Sequence, residues 1–182
     1  RGNELFKANA ELYPDDYDAV ALYVEALNVS EEWEQLSAAC ENAFARFPKE
    51  AAFLSLKSFA DYQLKDFFAV IKDNEKMMEA FPKDKQVHLE AYSAIGDIYH
   101  MLGEEKLAYR AYDKALKIDP EYAPVLNNYA YYLSLSGKKL KKAYEMSRIT
   151  IEKEPDNSTY LDTFAWILHL QGKDLEAKPF FK

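Results

Sequence analysis

Residues Leu89–Pro120, LEAYSAIGDIYHMLGEEKLAYRAYDKALKIDP, decide the fold of the chain. Tyr92, Ile95, Gly96 and Tyr99 fall on one face of a first amphipathic helix. Gly103 marks a tight turn, and Ala108, Tyr112 and Ala115 fall on one face of a second helix. Pro120 closes the unit, because proline disfavours helical geometry in the residue before it. Gly96, Ala108 and Ala115 are small where two helices must approach closely, since a larger side chain would hold them apart.

The same pattern recurs outward from this stretch in both directions. Pro14, Pro48, Pro82, Pro120 and Pro155 are spaced by 34, 34, 38 and 35 residues. This unit resembles the tetratricopeptide repeat, a 34-residue helix–turn–helix that buries its apolar face by stacking on copies of itself. The resemblance implies an all-α fold, a right-handed superhelical solenoid of helical hairpins. Residues 1–182 then read as one array. Residues 1–14 hold the second helix of a truncated repeat, followed by repeats at 17–48, 51–82, 85–120 and 123–155 and an incomplete one at 158–182. The start inside a helix and the stop in mid-helix suggest a piece of a longer chain, and Pro179 is awkward anywhere but near a helix start.

Individual repeats depart from the pattern in readable ways. The 51–82 unit is the weakest match, with Val70 and Met77 in place of the usual alanines. Its first helix, with Phe53, Leu56, Ala60 and Leu64, reads as one residue out of register. Four extra residues before Leu89, about one helical turn, predict a lengthened first helix with Asp84 as N-cap. The pair LNNYAYYLSLSGKKLKKA and YLDTFAWILHLQGKDLEA is similar to the C-terminal repeats of envelope-associated bacterial proteins of this family. That second resemblance implies a periplasmic or envelope location rather than a cytoplasmic one.

Composition narrows the function classes. With 49% hydrophobic and 30% charged residues the chain is a folded one. A net charge of −8 argues against nucleic acid as a partner, and no apolar run reaches membrane-span length. The single Cys40 falls on the inner stripe of a second helix and reads as core. His88, His100 and His169 lack metal-ligand spacing. Glu90, Asp97 and His100 share a face that could in principle hold a metal, although a plain polar helix face is the preferred reading. Neither a cofactor nor a catalytic residue is expected.

In this family the first helices line the inner, concave surface, leaving the stripe opposite their packed face for a ligand. At helical spacing that stripe carries Asp18, Glu25 and Asn28, then Phe59 and Tyr62, then Glu90, Asp97 and His100. It continues with Asn127, Asn128 and Tyr131 and ends with Asp162, Trp166 and His169. Such a groove is acidic and aromatic, fitted to a peptide or helix with basic or polar side chains. The plain alternative is that these are solvated helix faces. Some family members clamp chaperone C-terminal carboxylates with lysines, arginines and asparagines; only Asn127 and Asn128 fit that use here. The run Lys138, Lys139, Lys141 and Lys142 reads as a solvated turn. Residues 1–50 carry a net charge of −7 and residues 101–150 one of +3, a polarity that could orient a partner.

The expectation is therefore a non-catalytic protein-interaction scaffold. Its rivals are a homodimer formed through exposed terminal helices, and a spacer within a larger enzyme or envelope-assembly protein.

Overall fold

Each helix of the protein ends where its sequence stops supporting helical geometry. In the structure, a computed structural model, residues 2–137 and 139–180 are described, so Lys138 lies outside the described residues. These residues form eleven α-helices. They are α1 (Gly2–Leu12), α2 (Tyr17–Val29), α3 (Trp33–Arg46), α4 (Ala51–Gln63), α5 (Phe67–Ala80) and α6 (Lys85–Met101). They continue as α7 (Glu105–Ile118), α8 (Ala123–Leu135), α9 (Leu140–Lys153), α10 (Ser158–Leu170) and α11 (Asp174–Ala177).

Helices α3, α5, α7 and α9 all stop two residues before one of the periodic prolines. The residue in between (Phe47, Phe81, Asp119 and Glu154) has left helical geometry, with ψ between 60° and 104°. The clash of a proline ring with the preceding residue accounts for this. Helix α11 also ends two residues before a proline, Pro179, but Lys178 between them keeps helical dihedrals, φ −49° and ψ −41°. Helix starts are fixed by acceptors. Asp16 caps α2 through the N–H groups of Asp18 and Ala19, and Asp66 caps α5 through that of Ala69. The Asp84 carboxylate accepts from Gln86 and Val87 at 3.0 and 3.2 Å at the start of α6, whose 17 residues exceed the 13 of α2, α4, α8 and α10.

The chain divides into two compact units, residues 1–98 and 99–182, with the boundary inside α6. The core of the first unit is built from Val24, Leu27, Leu36, Cys40, Ala43, Leu54 and Ala60, with Trp33 and Leu56 packed at its margin. Full burial of each leucine contributes about 1.5–3 kcal/mol. Burial also pushes the Cys40 thiol up to about 12, which makes it an inert core residue.

The register of α4 differs from the sequence expectation. Phe53, Leu54, Ala60 and Asp61 are its buried residues, whereas Leu56 and Leu64 are only half-buried. The reason is that the inward stripe carries polar groups. Lys57 donates to Asp61 at 2.7 Å and to Asp73 of α5 at 2.9 Å, and all three side chains are almost fully enclosed. Beside them Asn74 donates to Ser58 and to the Val70 carbonyl. This repeat departs from the usual pattern because it holds an ionic cluster where its neighbours hold hydrocarbon.

The second unit is cored by Tyr112, Val125, Leu133, Ile167 and Leu168. A ladder of rings extends from it. Tyr129 stacks on Tyr109 at 5.0 Å and lies 5.3 Å from Tyr112, while Tyr132 stacks on His100 at 3.4 Å. Lys142 stands 4.4 Å above the Tyr129 ring, so this member of the basic run packs on an aromatic face as well as meeting solvent.

Candidate functional site

The open faces of α8 and α10 make the site in the second unit. Helix α8 turns Val125, Leu126, Tyr129, Ala130 and Leu133 into the core, and α10 turns Leu161, Phe164, Ala165 and Leu168 the same way. Asn157 sets the start of α10, its side-chain oxygen accepting from Thr159 and Tyr160 at 3.1 and 3.4 Å. The remaining stripes, 127–128–131 and 159–162–163–166, share one side of the helix pair. They bound a groove of about 600 Å³ lined by Asn127, Asn128, Tyr131, Thr159, Asp162, Thr163 and Trp166.

The lining is uneven in depth. Tyr131 is 40% exposed and Asp162 is exposed, so these two form the rim. Asn127, expected on an open face, is only 4% exposed. The correction has a simple cause: α8 and α10 pack directly against each other, and Asn127 lies on the α10 side of its helix, at the floor. Its Nδ2 donates to Asn128 Oδ1 at 3.3 Å. Its own Oδ1 is shielded and has no partner among the described residues, and the same holds for Trp166 Nε1. Thr163 was not expected from the sequence. It follows Asp162 immediately and is buried, and only the packing of α10 on α8 reveals that it shares the floor.

His100 and His169 do not join this groove. His100 is half-buried against Tyr132. His169 Nδ1 lies 2.6 Å from Asp174 Oδ1, and its ring sits 5.8 Å from Trp166, closing the turn into α11.

In the first unit the expected residues stay apart. Asp18 and Glu25 are exposed and Asn28 is half-buried along α2. Phe59, 43% exposed, meets Trp33 edge-on at 5.6 Å, and Tyr62 leans on Phe67 at 6.1 Å. Glu90 accepts from Gln86 at 2.6 Å, and Asp97 is half-buried. None of these lines the larger cavity of about 1100 Å³, which is bounded by α1, α2 and α3 and includes Ala10, Tyr23, Ala39 and Arg46. Among the described residues no three His, Cys, Asp or Glu side chains come together as a metal site. No described helix is long and apolar enough to cross a membrane.

The fold is that of the tetratricopeptide-repeat proteins. Residues 111–144, from the middle of α7 through α8 to the first turns of α9, match the tetratricopeptide repeat family itself. Among solved structures the chain is similar to the MamA protein at 16% identity, covering 91% of this chain and 87% of that one with a TM-score of 0.68. A tetratricopeptide repeat protein from Parabacteroides merdae matches at 16% identity over 98% and 69% of the two chains, TM-score 0.73. YrrB, a tetratricopeptide protein with an unusual peptide-binding site, matches at 14% identity over 98% and 89%, TM-score 0.63. No curated protein sequence matches the chain.

Proposed function

We propose that the protein is a protein-interaction scaffold that works by binding rather than by catalysis, and that the α8–α10 groove receives a peptide or helix of its partner. One observation carries this reading: an exposed tyrosine, a half-buried tryptophan and an exposed carboxylate converge on one open groove. Aromatic side chains supply large contact area at small entropic cost, and such residues dominate binding energy at interfaces. Asp162 gives the groove a negative rim suited to a basic or polar partner segment.

The test is co-purification from the native lysate by the wild-type chain and by an Asp162→Ala, Trp166→Ala variant of matched thermal stability. Loss of a partner with the variant alone supports the groove. Equal retention by both places the contact elsewhere.

A second observation favours self-association. Leu5 and Leu12, seven residues apart on one face of α1, are 76% and 69% exposed. We propose that this face pairs with a second copy of the chain. Sedimentation of wild type and of a Leu5→Lys, Leu12→Lys variant tests it: a dimer lost on substitution supports the pairing, and a monomeric wild type rejects it.

A further inference from the structure

We propose that the α8–α10 groove is a socket for an arginine side chain carried on an extended segment of the partner. The inference rests on the peptide-binding reading above and narrows it to one chemistry.

The argument begins with the floor. Buried polar atoms in folded proteins are nearly always hydrogen-bonded, because an unpaired one costs about 1–3 kcal/mol. Two such atoms belong to residues that line this one groove, the acceptor Asn127 Oδ1 and the donor Trp166 Nε1. One amide N–H of Asn127 bonds Asn128, and the atom left without a partner is its Oδ1, so the unsatisfied group it offers a ligand is an acceptor. Asp162 at the rim is a second acceptor, and it carries charge. Among the described residues it takes part in no ion pair, and no lysine or arginine lines the groove. A cation that pairs with Asp162 in this groove would therefore come from outside.

Two acceptors at different depths call for a group with several donors in fixed directions. Tyr131 and Trp166 add π-faces, against which a flat cation stacks. Guanidinium meets all three conditions: it is planar, presents five N–H donors, stacks on aromatic rings and is weakly hydrated. An ammonium group is a compact, strongly hydrated point charge and uses the rings and the second acceptor less well.

The donor Trp166 Nε1 decides the backbone. Guanidinium has no acceptor to give it. A carbonyl of the partner main chain does, but inside a helix those carbonyls are already committed to intrahelical bonds. An extended segment leaves them free. The groove, at about 600 Å³, has room for more than one side chain.

The experiment is a titration of the full chain, followed by NMR at the indole N–H of Trp166, with that of Trp33 as internal control. The probes are blocked Gly-Arg-Gly, Gly-Lys-Gly and Gly-citrulline-Gly tripeptides. The expected result is a saturable shift at Trp166 alone, with the arginine peptide at least ten-fold tighter than citrulline and several-fold tighter than lysine. Asp162→Asn, an isosteric change at an exposed position, should weaken the arginine peptide at least ten-fold and leave citrulline unchanged. Equal affinity for arginine and citrulline would overturn the socket while leaving a peptide groove in place. Tighter binding of a fourth probe, an alanine-based helical peptide carrying one arginine, would overturn the extended segment. No shift with any probe would remove both the socket and the peptide reading.

Discussion

Asp61 and Asp73 face one another across a single lysine in the interior of the first unit. Lys57 Nζ stands 2.7 Å from Asp61 Oδ2 and 2.9 Å from Asp73 Oδ1. Two carboxylates and one ammonium leave an unbalanced negative charge, which burial makes costly. Desolvation first, and then the hydrogen bond with Asp61, push the Asp73 carboxyl up to about 7. Burial opposes the charge on Asp61 as well, but hydrogen bonds from Lys57, Ser37 and Asp73 outweigh it and hold that carboxyl below its ordinary range. The pair therefore keeps one proton over much of the acid range.

A pH dependence follows, and its sign is set by Asp73. A carboxyl raised in the folded state binds more protons there than in the unfolded chain, between its ordinary value near 4 and about 7. Stability should thus fall as pH rises through that window. Asp61 acts oppositely, but only below pH 4. Lys57, held above its ordinary value by both aspartates against the opposing effect of burial, loses its contribution only far into the alkaline range. Thermal unfolding should give a higher Tm near pH 5 than near pH 8, and Asp73→Asn should flatten that slope. A wild-type Tm that does not fall between pH 5 and 8 would refute the shared proton.

Removing the lysine is the harsher test. Lys57→Met fits the stripe sterically but strips both carboxylates of their cation, a change that typically costs about 3–5 kcal/mol when one partner of a buried pair is lost. A Lys57→Met, Asp61→Leu, Asp73→Leu chain should regain most of that loss, since hydrocarbon fills the equivalent positions of the other repeats. Urea midpoints of the two variants measure it.

The turns between paired helices offer a gain of stability. Gly103 and Gly172 occupy the left-handed region at φ 78° and 74°, and Glu31 and Lys65 occupy it at 57° and 61°. The hydrogen-bond pattern is shared: Lys65 N–H donates to Tyr62 and Asp66 N–H to Asp61, as Gly103 does to His100 and Glu104 to Tyr99. A side chain in that region costs about 1–2 kcal/mol relative to glycine. Glu31→Gly and Lys65→Gly should each stabilise the fold by about 1 kcal/mol net of the extra freedom of the unfolded chain. An unchanged or lowered unfolding midpoint in both would show that the strain is relieved elsewhere.

These turns also show how much of the molecule was legible beforehand. The period of the prolines marks the ends of α1, α3, α5, α7 and α9, because the steric rule that stops a helix before proline is local. The four residues in excess of the period before Leu89 mark the lengthened α6. Asp84 marks its start because a side-chain cap is also a local interaction. For α4 the sequence shows a departure from the repeat but not its inward stripe, since periodicity marks only apolar burial and Lys57, Asp61 and Asp73 satisfy one another instead. The depth of Asn127 was equally hidden. Spacing along one helix says which face a residue occupies, but how far that face is covered depends on the neighbouring helix.

Asn127 gives the last test, because it separates stability from binding. Its Oδ1 lies shielded and unpaired at the floor of the groove. Replacing such an atom with an apolar group of similar shape removes a desolvation cost and takes away no protein partner. Asn127→Leu loses the contact to Asn128, a modest one at 3.3 Å, and otherwise suits a site flanked by buried Leu126 and Tyr129 stripes. The variant should be as stable as wild type, or more stable by up to about 1 kcal/mol in chemical denaturation. Its affinity for the arginine tripeptide should fall about ten-fold, the change expected when a ligand loses one hydrogen bond of about 1.4 kcal/mol. Ordinary structural asparagines behave the other way, losing stability on substitution with no ligand to notice. A clear loss of stability in Asn127→Leu with binding intact would make this residue a structural one and remove it from the socket.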